Sequence, residues 1–292
     1  MTTHKKNLIL MPLNILHRIS PTLALKILFR LKKKRKLDLK NPKTYTEKVQ
    51  WMKLHYHHPL LTKLVDKYTV RDYVAQKAPE ILVPLLWQGF DARDIPWDDL
   101  PDRFVMKTTH GSTFNIICWD KSKLDREECV KKLNGWLKTK FLRCYGEWFY
   151  GVEKPRIIIE EFLDVGEGRV PEDYKIFCFD GKPHIIVVHT GRFVGQKTHL
   201  ANIYDLEWNF REGHKINFEN DVPMEKPEQL DELLRYARLL SEDFIHVRVD
   251  LYLVKGKVYF GEMTFTNGAG YSKISPPEFD EELGSLLPLR EK

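Results

Sequence analysis

The part of this sequence that most constrains its fold is residues 244–271, which have the pattern of a β-hairpin carrying two carboxylates. Asp250 lies in the first strand and Glu262 at the end of the second, so the two side chains come from neighbouring strands. The hairpin consists of an alternating strand, a turn, a returning strand and a loop of small residues: 247–253, 255–257, 258–260 and 264–270. We therefore expect the rest of the chain to be organised around this hairpin.

The chemistry of these residues suits a metal–phosphate site. Asp250 and Glu262 are hard oxygen ligands of the kind Mg²⁺ takes, together with water and substrate phosphates. Arg248 precedes Asp250 by two residues, so it shares a face of the strand and could neutralise a phosphate beside the metal. An ordinary hairpin with a surface salt bridge would contain the same residues. The hairpin alone leaves both interpretations open.

Composition indicates a folded protein that favours anionic partners. The chain has 292 residues, 42% hydrophobic and 30% charged, and a net charge of +6. It has no run of 18 apolar residues, so we expect no membrane-spanning helix. The four cysteines form no CxxC pair and no metal-like spacing, which indicates reduced, packed thiols. They are Cys118, Cys129, Cys144 and Cys178.

The N-terminal region combines apolar stretches with a basic run. Residues 8–16 and 23–31 are apolar, and residues 32–36 are all lysine or arginine. Pro12 and the lack of a small-residue cleavage site argue against a signal peptide. One interpretation is peripheral contact of residues 8–36 with an anionic membrane surface. The other is a helix docked on the protein, with a solvated basic tail.

A second candidate site lies in the segment 104–118. Residues 104–107 read as a short buried strand ending on Lys107, and residues 114–118 as the returning strand. The loop between them, 108–113, is rich in hydroxyls and could cradle phosphate with its N–H groups beside the lysine. It lacks Walker A spacing. A plain polar hairpin is the alternative.

The remaining pattern predicts single helices between antiparallel hairpins. We expect a first helix from a capping box at Thr44 and Glu47 to the break at Pro59, and a polar, irregular stretch at 191–222. A short polar tail is expected after Pro277. The other predicted helices are 60–77, 125–140 and 227–241, and the other predicted strands are 81–86, 156–163, 173–179 and 183–189.

Six pieces of the chain, in this order, resemble the TupA-like branch of the ATP-grasp superfamily. They are 41–51, 66–74, 105–112, 160–163, 173–182, and 248–250 paired with 261–265. The resemblance implies an α+β ATP-grasp fold, in which two subdomains of antiparallel strands and helices clasp the nucleotide. Residues 1–80 would form a mainly helical N-terminal region that departs from other ATP-grasp proteins. Residues 81–165 and 166–292 would be the two subdomains.

The resemblance also implies residue roles in nucleotide binding. Lys67 and Lys107 would reach the phosphates, and the loop of His110, Gly111, Ser112 and Thr113 would cover them. The strand of Glu160, Glu161, Phe162 and Leu163 would read the adenine edge, and Glu167 would hold the ribose hydroxyls.

Further implied roles concern the metal and the reaction. Asp250 and Glu262 would bind Mg²⁺, and Arg248 would lie beside the transferred phosphate, with Lys175 and His110 as further catalytic residues. Thr264 stands where many relatives have asparagine, so we count Thr264 and Asn267 as alternatives for a third metal ligand.

The implied function is an ATP- and Mg²⁺-dependent carboxylate–amine ligase acting through an acyl phosphate. The TupA-like branch suggests an amino acid joined to a uronic acid or glutamate-type acceptor in cell-surface polysaccharide synthesis. The acceptor would be lipid-linked or polymeric, and the protein cytoplasmic or at the inner face of the membrane, with no nucleic-acid partner. The alternatives are a glycosyltransferase using a nucleotide-sugar and a non-catalytic nucleotide-binding module. The lack of a DxD motif argues against the glycosyltransferase.

Overall fold

The computed structural model describes residues 3–166, 169–190 and 200–290, and for residues 3–8 only the backbone. Within these ranges the chain is α+β, as predicted. The helices are α1 (Thr3–Ile19), α2 (Pro21–Lys33), α3 (Tyr45–His55), α4 (Leu61–Leu64), α5 (Val70–Lys77), α6 (Arg126–Leu137), α7 (Leu230–Ser241) and α8 (Pro277–Leu286).

Two antiparallel sheets contain most of the strands. The strands are β1 (Leu85–Gly89), β2 (Phe104–Thr108), β3 (Asn115–Cys118), β4 (Ile157–Glu161), β5 (Asp173–Phe179), β6 (Lys182–Thr190), β7 (Leu200–Tyr204), β8 (Lys215–Ile216), β9 (His246–Val254), β10 (Lys257–Thr264) and β11 (Ile274–Ser275). The first sheet has the order β1-β4-β2-β3 and the second β10-β9-β5-β6-β7, while β11 and β8 form a small ladder.

The predicted hairpin at 244–271 is confirmed as strands β9 and β10. The turn residues Lys255 and Gly256 both have positive φ, which suits a tight hairpin connection. A bulge between Phe260 and Glu262 shifts the register, so that Glu262 lies opposite Asp250. A Cβ on Gly261 would lie 2.9 Å from the carbonyl oxygen of Asp250, so the bulge requires glycine there.

Each large sheet has its own hydrophobic core. The five-stranded sheet packs against α7, whose Leu233, Ala237 and Leu240 are fully buried, and its core also includes residues of α3, α4, α5 and α8. The four-stranded sheet packs against α6 through Cys129 and Leu133. Helices α3–α5 belong to the predicted N-terminal region, residues 1–80. They share a core with the five-stranded sheet, whose strands belong to the predicted region 166–292. The boundaries at residues 80 and 165 stay a prediction.

The N-terminal helices dock on the protein through one face and expose another. In α2, Leu25 and Phe29 are fully buried, and the Asn14 side chain of α1 accepts a 2.8 Å hydrogen bond from the backbone N–H of Cys144. Several large apolar side chains of both helices remain exposed: Ile9, Met11, Ile15, Ile19, Leu23, Ile27 and Leu31. Docking is therefore shown, and it leaves a second apolar face uncovered. Among the described residues, no helix is both long and apolar enough to span a bilayer.

The prediction of one continuous helix over residues 60–77 is wrong. The chain forms two short helices, α4 and α5, separated by a turn at 65–69. The Asp66 carboxylate accepts hydrogen bonds from the backbone N–H groups of Tyr68 and Thr69, at 2.9 and 3.1 Å, and this local bonding replaces the helical ladder. The turn places Lys67, whose backbone N–H donates to the carbonyl of Thr109, beside the predicted phosphate loop.

Three other predictions from the pattern need correction. The strand predicted at 81–86 is instead a 3₁₀ turn, Pro79–Ile81, followed by β1. The stretch 191–222 contains β7 and β8 in its described part, because β7 pairs with β6 at the edge of the five-stranded sheet and β8 pairs with β11. Residues 191–199 lie outside the described residues. The predicted polar tail is helix α8, which buries Phe279 and Leu283.

Helices α3 and α8 meet at a glycine. The capping box of Thr44 and Glu47 is present at the start of α3, and Asp280 of α8 accepts hydrogen bonds from the backbone and hydroxyl of Thr46, at 2.9 and 2.7 Å. A Cβ on Gly284 would lie 2.1 Å from the carbonyl oxygen of Lys43. The close approach of the two backbones therefore depends on Gly284.

We predict that Gly284→Ala lowers the free energy of unfolding by about 1–3 kcal/mol, because the added methyl group overpacks this contact. Gly135→Ala in α6 is the matched control, since its Cβ would meet nothing within 4 Å. The control should be neutral or stabilising by up to about 1 kcal/mol. Urea unfolding of both variants measures the difference, and equal stabilities would contradict the packing argument.

Candidate functional site

A row of charged side chains crosses the five-stranded sheet. In the strand register, Asp250 of β9 lies opposite Lys175 of β5 on one side and Glu262 of β10 on the other. Residues opposite one another on paired strands project from the same face of the sheet. The ammonium of Lys175 donates to Asp250 and to Asp173, each at 2.5 Å. Strand pairing thus brings together three predicted site residues that are 75 and 12 positions apart.

Arg248 connects the acidic and polar side chains of the hairpin. Its guanidinium donates two hydrogen bonds of 2.6 Å to the carboxylate of Asp250, a bidentate pair. The same guanidinium contacts Glu262 and Thr264, each at 3.1 Å, and also donates to the amide oxygen of Asn267. All the predicted hairpin residues therefore belong to one hydrogen-bonded cluster.

Lys67 joins the phosphate loop to this cluster. Its ammonium lies 3.3 Å from the carboxylate of Glu262 and donates to the carbonyl oxygen of Gly111 at 3.1 Å. The loop is tight, because a Cβ on Gly111 would overlap the ring of Phe114. Ser112 and Thr113 are exposed, and Thr113 has a φ of 64°. Lys67 thus connects the loop predicted to cover phosphates with the β9–β10 hairpin.

Lys107 and the buried Glu160 form a partly buried ion pair on the four-stranded sheet. The ammonium of Lys107 lies 2.7 Å from one carboxylate oxygen of Glu160, and Arg71 lies 3.0 Å from the other. Arg71 also donates to the carbonyl of Val83 at 2.8 Å. The Glu160 side chain therefore holds two cations in place. The sequence pattern included Arg71 but gave it no role.

The predicted adenine strand is the end of β4. The backbone N–H of Glu161 donates to the carbonyl of Pro84 at 3.0 Å, so this group is already used within the protein. Phe162 follows the strand and packs edge-on against Trp119, with 4.7 Å between ring centroids. Leu163 is half-buried. Glu167, predicted to hold the ribose, lies outside the described residues.

Burial and the neighbouring charges shift the pKa values of the ionisable side chains in the cluster. Burial acts to raise the pKa of Glu262, but the neighbouring Lys67, Arg248 and Lys175 outweigh it and lower that pKa. Burial raises the pKa of Asp250, while the charges of Arg248 and Lys175 oppose that rise. The pKa of Arg248 is raised, because Asp250 and Glu262 outweigh the cost of burying the cation. The cluster thus retains ionised carboxylates by pairing each with cations.

The donor set of this cluster fits Mg²⁺. Asp250, Glu262, Thr264 and Asn267 contribute carboxylate, hydroxyl and amide oxygens around Arg248, and these are hard ligands. Within the described ranges, no group of three or more His, Cys, Asp or Glu side chains is arranged to hold a metal. The residues therefore suit an ion held by two carboxylates and completed by phosphate oxygens and water, rather than an all-protein cage.

His110 is buried apart from the carboxylates. Its ring packs against Phe114 and Phe141, with centroids 6.1 and 6.0 Å away. Burial lowers the pKa of the imidazole, which favours the neutral form. The structure therefore places the His110 side chain against aromatic rings at the start of the predicted phosphate loop.

Sequence reasoning missed a buried pair behind the loop at 266–271. Lys53 is 3% exposed, and its ammonium donates to the carbonyl of Ala269 at 2.6 Å and to Gln50 at 3.0 Å. Burial lowers the pKa of Lys53 to about 8, while nearby Glu147 opposes this shift. Glu147 in turn accepts a hydrogen bond from Thr266. Neither residue belongs to a local motif, so no sequence signal could have found the pair.

Antiparallel sheets that present two lysines, an arginine and two carboxylates in one cluster define the ATP-grasp class of fold. Residues 47–288 match the model of the TupA-like ATP-grasp family, and the chain belongs to that family. This confirms the resemblance and the fold class expected from the sequence. Among curated proteins, none matches the chain significantly.

Solved structures that are similar to parts of this chain include two ligases. D-alanine–D-alanine ligase from Bacillus anthracis has 16% identity and a TM-score of 0.43, over 70% of this chain and 59% of its own. The L-amino acid ligase from Bacillus licheniformis has 19% identity and a TM-score of 0.47, over 73% of this chain and 46% of its own. This chain thus matches about half of their length, and these remote similarities do not assign it a substrate.

We predict that Glu160→Gln lowers the free energy of unfolding by about 1–3 kcal/mol, because it leaves the partly buried Arg71 and Lys107 without their shared carboxylate. Glu161→Gln is the matched control, since Glu161 is the next residue and is exposed. The control should change stability by less than about 0.5 kcal/mol. Chemical denaturation of the nucleotide-free protein tests this, and similar losses in both variants would refute a structural role for the Glu160 side chain.

Proposed function

We propose that this protein is an ATP- and Mg²⁺-dependent carboxylate–amine ligase that acts through an acyl phosphate. The observation that carries the proposal is the cluster in which Lys175, Asp250 and Glu262 lie in one row across the sheet, with Arg248 and Lys67 bonded to its carboxylates. Cations and hard oxygen ligands at one point are what phosphoryl transfer requires. Membership of the TupA-like ATP-grasp family supports the same chemistry.

The proposed reaction has two steps, each with a balanced transfer. An oxygen of the substrate carboxylate attacks the γ-phosphorus of ATP, and ADP leaves. The nitrogen of an amine then attacks the acyl carbon, inorganic phosphate leaves, and the amine gives up a proton. Positioning and charge stabilisation are sufficient for this chemistry, so no nucleophilic side chain of the protein is needed.

Each residue of the cluster would have a role in this scheme. Asp250 and Glu262 would hold Mg²⁺, with Thr264 or Asn267 as a further oxygen donor. Mg²⁺, when bound, would neutralise charge on the phosphates. Arg248 would contact the transferred phosphoryl group.

The remaining cations would act on either side of the phosphates. Lys67, on the loop side, and Lys107, on the four-stranded sheet, would bind phosphate oxygens. Lys175 would orient Asp250, with which it already shares a 2.5 Å hydrogen bond.

Nucleotide recognition would use the segment between the two sheets. The loop of Gly111, Ser112 and Thr113 would cover the phosphates, and the buried His110 side chain would support this loop. Glu161, Phe162 and Leu163 would lie along the adenine. The partly buried pairing of Glu160 with Lys107 supports a role for Glu160 in positioning that lysine.

We further propose that the substrates belong to cell-surface polysaccharide synthesis, with an amino acid joined to a uronic acid or glutamate-type acceptor. A lipid-linked or polymeric acceptor would be met on the cytoplasmic face of the membrane. The uncovered apolar side chains of α1 and α2 and the adjacent basic residues support membrane contact through residues 8–36.

We predict that Mg²⁺ and ATP give ADP and phosphate release that rises at least about tenfold when a uronic acid and an amino acid are supplied together. Glu262→Gln should lower this rate about a hundredfold, because a metal ligand stabilises several kcal/mol of transition-state charge. Glu219→Gln, which changes an exposed glutamate of a surface ion pair, is the matched control. Asp250→Asn provides the blank.

Other outcomes of this assay would contradict the ligase. Binding of a UDP- or GDP-sugar without ATP binding would identify the alternative, a glycosyltransferase. ATP binding without turnover for any pair of acceptor and amine, polymeric uronates included, would indicate a non-catalytic module.

For membrane contact, we predict that the protein sediments with vesicles containing phosphatidylglycerol and that Ile19→Glu weakens this binding about tenfold. Val222→Glu is the matched control, because Val222 and Ile19 are exposed to almost the same extent, 78% and 79%. Binding should also weaken as salt is raised. Equal effects of the two variants would show that the exposed face of α1 and α2 is not the contact surface.

A further inference from the structure

A large cavity lies beside the candidate site, and of the predicted site residues that the structure describes only His110 lines it. Its volume is about 1170 Å³, and its walls come from α1 and α2, from residues 137–155 and from residues 268–271. Ligand sites for drug-sized molecules occupy about 300–1,000 Å³. The cavity therefore has room for a ligand larger than an amino acid or a single sugar ring.

The lining of the cavity is strongly basic. Five cationic side chains line it, against the single carboxylate of Glu147: Arg18, Lys32, Lys138, Lys140 and Arg143. Lys32 lies over the rings of Tyr145 and Tyr271. The other four cations are exposed, and none makes an ion pair with another described residue. Glu147 is bonded to Thr266 and lies near Lys53, so it does not neutralise them. The lining therefore favours a ligand with several negative charges.

Aromatic and unpaired polar groups accompany this charge. Trp148, Tyr150 and Tyr271 line the cavity, and the rings of Phe141 and Tyr150 stack with their centroids 4.8 Å apart. The indole N–H of Trp148 and the hydroxyl of Tyr271 are buried without a hydrogen-bond partner within the described part of the chain. Both atoms are shielded from solvent, so the surface that these residues offer to a ligand is that of their flat rings. Flat apolar rings beside the cationic side chains of the lining suit sugar rings.

The cavity borders two segments that adjoin the candidate site. His110 of the phosphate loop lines it, as do Gly268 and Ala269, which follow directly after Asn267 of the Arg248 cluster. Tyr150 lies near that cluster too, since burial and the charges of Glu147 and Glu262 raise the pKa of its hydroxyl. A ligand in the cavity would thus lie next to the phosphates bound between the two sheets.

We propose that this cavity is the acceptor site of the ligase and that it binds a carboxylated oligosaccharide, with α1 and α2 forming one wall. The inference rests on the proposed function and adds to it the location of the acceptor and its chemical class. The cations bind carboxylates along the saccharide, and the aromatic side chains contact the sugar rings. An acidic peptide would satisfy the cations but would leave the aromatic faces without a matching surface.

The test is calorimetric binding of trigalacturonic acid to the full chain, without nucleotide. Maltotriose is the neutral saccharide of the same length, and triglutamate is the acidic peptide. The variant Lys138→Glu with Lys140→Glu changes two lining residues. The control, Lys131→Glu with Lys132→Glu, changes two lysines of α6 outside the cavity. Each lysine-to-glutamate change replaces one positive charge by one negative charge, so both double variants lower the net charge from +6 by four.

We expect trigalacturonic acid to bind the unmodified protein, and maltotriose and triglutamate to bind at least about tenfold more weakly. The variant in the cavity should lose at least tenfold in affinity for trigalacturonic acid, and the control less than twofold. Equal losses in both variants, absence of trigalacturonate binding, or preference for triglutamate would each overturn the assignment.

Binding of Mg²⁺ and ATP is measured on the same samples, which separates the two proposals. Intact ATP binding beside absent trigalacturonate binding would overturn the acceptor site alone. Absence of ATP binding in the unmodified protein would overturn the ligase, whatever the saccharide result. Retained ATP binding by both double variants shows that they are folded, so that a selective loss of saccharide binding supports the acceptor site.

Discussion

The structure of the site depends on keeping Asp250 charged inside the protein. This side chain is only 1% exposed, and an isolated carboxylate at such a depth would be strongly destabilising. Arg248 donates two hydrogen bonds to it and Lys175 a third, so its charge is compensated from two strands. The bidentate geometry fixes the guanidinium, and through it the positions of Glu262 and Asn267. A single buried charge therefore organises side chains from three strands and the following loop.

The same arrangement explains how a metal ion and phosphates would replace the internal ion pairs of the site. In the structure described here, Arg248, Lys175 and Lys67 neutralise Asp250 and Glu262. A metal ion at the carboxylates and phosphates at the cations would replace these internal pairs without leaving a buried charge unpaired. The ion pairs hold the cations and carboxylates of the cluster close together.

The N-terminal helices link the site to its surroundings. One face of α2 packs on the protein through Leu25 and Phe29, while other side chains of α1 and α2 reach the large cavity or remain exposed. The contact between Asn14 and Cys144 holds α1 against the segment that forms the opposite wall. This arrangement would place a bound acceptor between the phosphate site and the apolar surface of the helices.

Much of the fold and site followed from local sequence patterns. Alternation and turn chemistry were enough to predict the β9–β10 hairpin, because a two-strand unit with a short turn depends on neighbours in sequence. The capping box at Thr44 and the loop after Lys107 were likewise local. The helix predicted at 60–77 failed where Asp66 bonds to the backbone and forms a turn, a competition that periodicity does not register. The stretch at 191–222 was predicted irregular because its strands are short and are formed only by pairing with β6 and β11.

By itself, the sequence determined which residues to propose for a nucleotide and metal site, Lys107, Asp250 and Glu262 from local patterns and Lys67 from the family resemblance. Only the tertiary structure decided how they meet. The register of three strands places Lys175 beside Asp250, and the ion pair with Lys107 gives Glu160 a structural role that its sequence position did not suggest. Lys53, Glu147 and the basic cavity have no local signature at all. Their proximity arises from packing between segments more than 90 residues apart, and a linear pattern does not encode such distances.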